Sequence, residues 1–201
     1  MQPFRSFESV VLPMAAPNID TDQIIPARFL WRKRGDGWAH LLFHDLRFNE
    51  DGSERAAFAI NQPVFRGAGI LVAGPNFGCG SSREHAVWSL LDYGIRCVIA
   101  PSFGDIFTNN SFQNGLLPVA LEGGIVEALQ AALAASPGAR MTVDLDAQCV
   151  TAPGGAAHAF AIDPFRKECL LAGADDVGYT LRLGDAITDF EAAYERKVSW
   201  L

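Results

Sequence analysis

Positive charge is scarce in this chain. Its 201 residues carry 16 Lys and Arg against 23 Asp and Glu, giving a formal net charge of −7 and a pI near 5.0. Such a surface argues against nucleic acid or an anionic membrane as the main partner, while leaving room for a local basic pocket that takes an acidic metabolite. Cysteine is sparse as well. Cys79, Cys97, Cys149 and Cys169 include no CxxC pair, so the usual zinc and iron–sulfur spacings are missing and no metal site is expected in this chain. A disulfide framework is not expected at this density, and a reducing cytoplasm fits better. The first residues, Met1-Gln2-Pro3-Phe4-Arg5, lack the long apolar core of a signal peptide. No apolar run approaches the ~20 residues of a membrane-spanning helix. Internal repeats and low-complexity tracts are also absent.

Enough apolar sequence remains, 49% of residues, to build a real core, and the length suits one compact domain over residues 1–201. Phe7 to Pro13 reads as a first strand, and Asn18-Ile19-Asp20-Thr21-Asp22 is turn chemistry. Gly69 to Ala73 is a fully apolar run typical of a buried strand, and Arg96 to Ala100 is a second. Between them Ser82 to Tyr93 has helical periodicity, closed by Gly94, which makes a βαβ unit with parallel strands. A helix over 102–114, a strand over 116–121 and a helix over 125–135 follow. The last third changes character: 141–145, 148–152 and 157–162 alternate as an antiparallel meander, then helices are expected over 164–171 and 185–197. The expected fold class is α/β, a mixed sheet with a parallel βαβ core and a C-terminal β-meander plus helices. The basic stretch Trp31-Arg32-Lys33-Arg34-Gly35-Asp36-Gly37 reads as an exposed, mobile loop.

The most informative stretch is Gly74-Pro75-Asn76-Phe77-Gly78-Cys79-Gly80-Ser81-Ser82-Arg83-Glu84-His85, a glycine-rich bend between a strand and a helix. Such a bend gathers backbone N–H groups at a helix start and makes an anion site. It is not a dinucleotide fingerprint, because Arg83 stands at the third glycine position, nor a P-loop, because no lysine follows Gly80. The nucleophile elbow G-x-S-x-G is absent around Ser81. Two readings of Ser81 stay open. Ser81-Ser82-Arg83-Glu84 fits the S-x-x-E capping box, in which Ser81 only starts a helix. Alternatively, N–H donors, the helix terminus and the Arg83 guanidinium stabilise the Ser81 alkoxide and make it a base. Arg83 offers a planar fork for a substrate carboxylate, or else a helix-surface salt bridge. A structural role suits His85 better than a catalytic one.

At this point the sequence resembles a known family. Gly80-Ser81-Ser82-Arg83-Glu84-His85 is similar to the GSSREH signature of the swivelling β/β/α domain in the aconitase superfamily. The segments Asn18 to Pro26, Asn76 to Cys79, Ala100 to Phe107, Asn114 to Val119, Phe165 to Cys169 and Asp185 to Ile187 resemble, in order, those of bacterial 3-isopropylmalate dehydratase small subunits. The resemblance covers nearly the whole chain. It implies a hydro-lyase half-enzyme of leucine biosynthesis that interconverts 2-isopropylmalate and 3-isopropylmalate through isopropylmaleate. It further implies a cytoplasmic heterodimer with a large subunit that carries a [4Fe–4S] cluster, and a small hydroxy-dicarboxylate substrate. By the same resemblance Ser81 is the catalytic base, Arg83 binds a substrate carboxylate and Ser82 donates a hydrogen bond to substrate. The turn after Pro26 is expected to face the substrate's variable group, with Phe29 and Leu30 packing an isopropyl group and Arg28 serving a carboxylate; the other reading is a loop that closes without touching substrate. Competing functions are the small subunit of a citraconate/methylmalate hydratase or homoaconitase-type enzyme, and a non-catalytic anion-binding module.

Overall fold

The computed structural model describes residues 1–34 and 37–198. Among the described residues nineteen segments follow one another, and seven of them are strands of a single sheet. Strand β1 (Ser6–Met14) leads into three short helices, α1 (Thr21–Ile24), α2 (Trp38–Leu41) and α3 (His44–Arg47), and three 3₁₀ turns before β2 (Ile70–Ala73). Then come α4 (Glu84–Tyr93), β3 (Cys97–Ala100), α5 (Asp105–Asn114), β4 (Leu117–Ala120) and α6 (Gly123–Ala135). The meander β5 (Arg140–Asp144), β6 (Cys149–Thr151) and β7 (Ala157–Ala159) precedes α7 (Pro164–Ala172), α8 (Asp176–Arg182) and α9 (Gly184–Lys197).

The sheet runs β4-β3-β2-β1-β5-β6-β7. From β1 to β4 the pairs are parallel, and from β1 through β7 they are antiparallel, so β1 joins two halves of different character. Burial explains the split. Every residue of β2 and β3 is buried, because successive side chains point to opposite faces and both faces are covered. Ile70 and Val72 join one core with Val126, Leu129 and Leu133 of α6. Leu71 and Ala73 join the other with Ala86, Val87 and Leu90 of α4 and Phe107 of α5. In β5 only alternate residues, Met141 and Val143, are buried, the mark of a strand with one covered face. Pro118 is tolerated in β4 because that strand lies at the sheet edge, where one side needs no N–H donor.

The expected βαβ core, meander and α7 are all present, as is the Asp163 cap, whose side chain accepts from the Arg166 N–H. Four expectations are corrected. The helix expected from Ser82 begins at Glu84, the one expected from residue 102 begins at Asp105, the last strand of the meander ends at Ala159 rather than at 162, and α8 falls where none was expected. In the basic stretch, Trp31, Lys33 and Arg34 are exposed and Arg32 is half-buried; Gly35 and Asp36 lie outside the described residues.

Candidate active site

Parallel strands deliver their following loops to one edge, and three loops meet there. Gly74 N–H donates to Met14 O at 3.0 Å where β1 and β2 end. Beyond that point the loop after β2 is sewn to the loop after β1. Asn18 N–H donates to Pro75 O (2.9 Å), Gly78 N–H to Ile19 O (2.7 Å) and Thr21 N–H to Cys79 O (3.0 Å). The Asn76 side chain donates to Asn18 Oδ1 at 2.8 Å, and both asparagines take the left-handed conformation that suits their short polar side chains. On the other side Phe77 N–H donates to Ser102 O (3.1 Å) and Gly104 N–H to Phe77 O (2.9 Å). The approach is close enough that glycine is required. A Cβ on Gly104 would stand 2.6 Å from Gly78 O, and Gly78 has φ +71° with the Phe107 ring against its Cα.

This seam bears on the helix-cap reading of Ser81. The Ser81 carbonyl accepts from Thr21 Oγ1 at 2.9 Å, and Gly80 turns the chain with φ +92° just before it. Helix α4 therefore begins at Glu84, with Arg83 as its extended N-cap residue and no side-chain hydrogen bond closing its first turn. The capping box is not formed. Glu84 instead accepts from Asn114 Nδ2 at 2.7 Å. Ser81 and Ser82 are exposed at an uncapped helix start, whose free N–H groups and dipole favour negative charge.

Arg83 is not a loose surface cation. Its side chain is only 11% exposed and is held across the seam by Asp22, which is 56% exposed. Arg83 Nη2 donates to Asp22 Oδ2 at 2.6 Å, Nη1 pairs with Asp22 Oδ1, and Nη1 also reaches Ile25 O at 3.4 Å. A guanidinium has about five N–H donors, so these contacts leave Nε–H and one Nη2–H, the side-on fork that fits a second carboxylate. The Arg83 hydrogen bond holds the Asp22 carboxyl below its ordinary range, against the opposing effect of burial. Asp22 also accepts from Ala27 N–H at 3.2 Å, so one carboxylate ties Arg83 to the turn that carries Arg28, Phe29 and Leu30. Neither Asp22 nor Thr21 was singled out as a site residue from sequence; only their place in the turn motif hinted at them.

In that turn Arg28 already has a carboxylate. Its Nη1 donates to Asp45 Oδ2 at 2.8 Å and its Nη2 pairs with Asp45 Oδ1, pulling the Asp45 carboxyl down to about 2. Phe29 is half-buried, with the Arg28 guanidinium 4.6 Å from its centroid on one side and the His44 ring 4.8 Å away. Leu30, also half-buried, packs on the core below. The structure thus places these three beside α3, linked to Arg83 through Asp22. His85 sits between Trp38 and Trp88, with ring centroids 5.2 and 4.7 Å away, and burial pushes its imidazole below the usual range, as suits a structural ring.

Among the described residues no three His, Cys, Asp or Glu side chains come together to hold a metal. Cys97 and Cys169 are buried and burial raises both thiols, while Cys79 and Cys149 are half-buried. No helix among these residues is long and apolar enough to cross a membrane.

Comparison with known proteins gives a consistent result. The aconitase C-terminal domain family matches residues 1–124, and the family described as LeuD_N matches 127–164. The 3-isopropylmalate dehydratase small subunit of Rhodospirillum centenum is 52% identical over 200 residues, covering 100% of this chain and 98% of that protein. The protein of that name from Paracoccus denitrificans is 47% identical over 201 residues, with 100% of both chains covered. The crystal structure of 3-isopropylmalate dehydratase (leuD) from Methanocaldococcus jannaschii aligns with a TM-score of 0.66 and 25% identity, covering 92% of this chain and 99% of that one. The chain belongs to the family of 3-isopropylmalate dehydratase small subunits, and its fold is that of the aconitase C-terminal domain.

Proposed function

We propose that this family member acts, as a single swivelling unit in the cytoplasm, as the small subunit of a 3-isopropylmalate dehydratase. It would interconvert 2-isopropylmalate and 3-isopropylmalate through isopropylmaleate in leucine biosynthesis. The observation that carries the reading is the uncapped start of α4. Ser81 is left open to solvent there, beside an Arg83 that keeps a fork of donors free.

In this reading Arg83 grips one substrate carboxylate, aided by the Ser82 hydroxyl and the first N–H groups of α4. Ser81 Oγ takes the proton from the carbon next to the one that loses hydroxide, and returns a proton during rehydration. The nearby guanidinium and helix terminus lower the cost of the alkoxide. Asp22 is a positioning residue that keeps the Arg83 fork aimed outward. Phe29 and Leu30 present the apolar side of the turn to the isopropyl group, and Arg28 stays with Asp45 unless a second carboxylate displaces it. The [4Fe–4S] cluster is assigned to the large subunit, where it would supply Lewis-acid chemistry for the departing hydroxide. The dispersed cysteines of this chain support that assignment. The exposed setting of Ser81 supports a site completed only when a partner closes over it and excludes water.

The test follows isopropylmaleate absorbance with this chain mixed with its cluster-loaded large subunit, wild type beside Ser81→Ala. Activity is expected only in the mixture, with a loss of ~10²–10⁴-fold in the variant. Full activity of Ser81→Ala would remove the base from Ser81. An inactive mixture that still binds isopropylmalate would leave an anion-binding module.

A further inference from the structure

Helices α8 and α9 contain no buried residue, yet they are not polar. Val177 and Leu181 of α8 are exposed, Leu181 by 74%. Leu183, Ile187, Phe190 and Tyr194 recur at steps of four, three and four, so they form one stripe along α9. Phe190 is 67% exposed, and its ring stacks on Tyr194 with centroids 5.9 Å apart. Six large apolar side chains exposed on two successive helices are the mark of a surface that another element covers.

The position of these side chains points to what covers them. One cleft of about 370 Å³ is lined by Glu84, Gln113 and Asn114 on one wall and by Asp175, Asp176 and Val177 on the other. Glu84 follows Arg83 directly, so the start of α8 borders the edge that holds Ser81 and Arg83. A protein that closes over those two residues meets α8, and α9 beyond it, next. Charge disfavours a second copy. Helix α9 carries Asp185, Asp189, Glu191 and Glu195 against Arg196 and Lys197, and the whole chain is at −7, so like would face like. We infer that the exposed apolar face of α8 and α9 is the docking surface for the large subunit, an inference that rests on the function proposed above. The complementary groove is apolar with a basic rim.

The experiment titrates full-length chain against the cluster-loaded large subunit by biolayer interferometry, comparing wild type, Leu181→Glu/Phe190→Glu and Ala192→Glu. Ala192 lies roughly 180° around α9 from the stripe and controls for added charge. The double variant is expected to weaken binding at least ~30-fold, with kcat at saturating large subunit and the thermal midpoint of the lone chain unchanged, while Ala192→Glu binds as wild type. Should the glutamates lower that midpoint, the alanine pair Leu181→Ala/Phe190→Ala replaces them, and the same loss of affinity is expected. Unchanged affinity of the double variant overturns the inference. So does a lone-chain dimer, seen by sedimentation, that the double variant dissolves while its affinity for the large subunit stays intact. A wild-type pair that assembles tightly but does not turn over isopropylmaleate, with the double variant still failing to assemble, upholds the docking surface and rejects the proposed reaction.

Discussion

Replacing Asp22 by Asn tests the seam and the site together. The change keeps the shape and an acceptor oxygen, but removes the negative charge that holds Arg83 Nη1 and Nη2. Asp22 is more than half exposed, so solvent screening discounts the pair, and the stability loss at neutral pH is expected to be about 1 kcal/mol. The sign with pH follows from the direction of the shift. The folded-state carboxyl is held below its ordinary 3.8, so its contribution is complete above that value. It fades as the pH falls through the lower folded value. Urea unfolding of the two proteins should therefore differ at pH 7 and converge only in acid, as the pH falls below 3.8 and through the lower folded value. On activity, an Arg83 no longer fixed spreads over several orientations and meets substrate less often in the productive one. A loss of ~10-fold in kcat/KM is expected, carried mainly by KM, with part of it restored by Asp22→Glu. A stability difference that does not change with pH would refute the ion-pair account. An unchanged kcat/KM would refute the positioning role.

Two further substitutions probe the same edge. Arg83→Lys keeps the charge but not the planar fork that grips Asp22 and still leaves donors free, so KM for isopropylmaleate should rise ~100-fold while the fold survives, as read by steady-state kinetics beside circular dichroism. Gly104→Ala places a methyl group 2.6 Å from Gly78 O, so the two loops must part; a stability loss of about 1–3 kcal/mol is expected, together with reduced activity, measured by thermal unfolding and by the hydratase assay.

Much of this molecule is written locally in its residues. The apolar runs Ile70–Ala73 and Cys97–Ala100 can only be strands buried on both faces, and Gly94, Gly115 and Gly173 stop their helices in the left-handed conformation that glycine adopts freely. Alternation in 140–159 specifies a half-covered meander, and Asp163-Pro164 starts α7 by local capping alone. The GSSREH run and the segments around it mark the family and the edge that carries the candidate site. Helix α8 is not legible in the sequence because its apolar residues face water rather than the core and Gly178 interrupts its pattern, although Asp175 caps it through the Gly178 N–H at 2.6 Å. The state of Ser81 was beyond local reading. Its S-x-x-E pattern permits a cap, and only the Thr21 hydroxyl on the Ser81 carbonyl, 60 residues away in sequence, together with the turn at Gly80, starts the helix later and frees the serine. Likewise nothing local couples Asp22 to Arg83, 61 residues apart. Composition and periodicity determine which segments are strands and helices, because backbone propensity and burial act over a few residues. Which side chains meet at the site was decided by the parallel sheet, because only strand pairing brings distant loops to one edge.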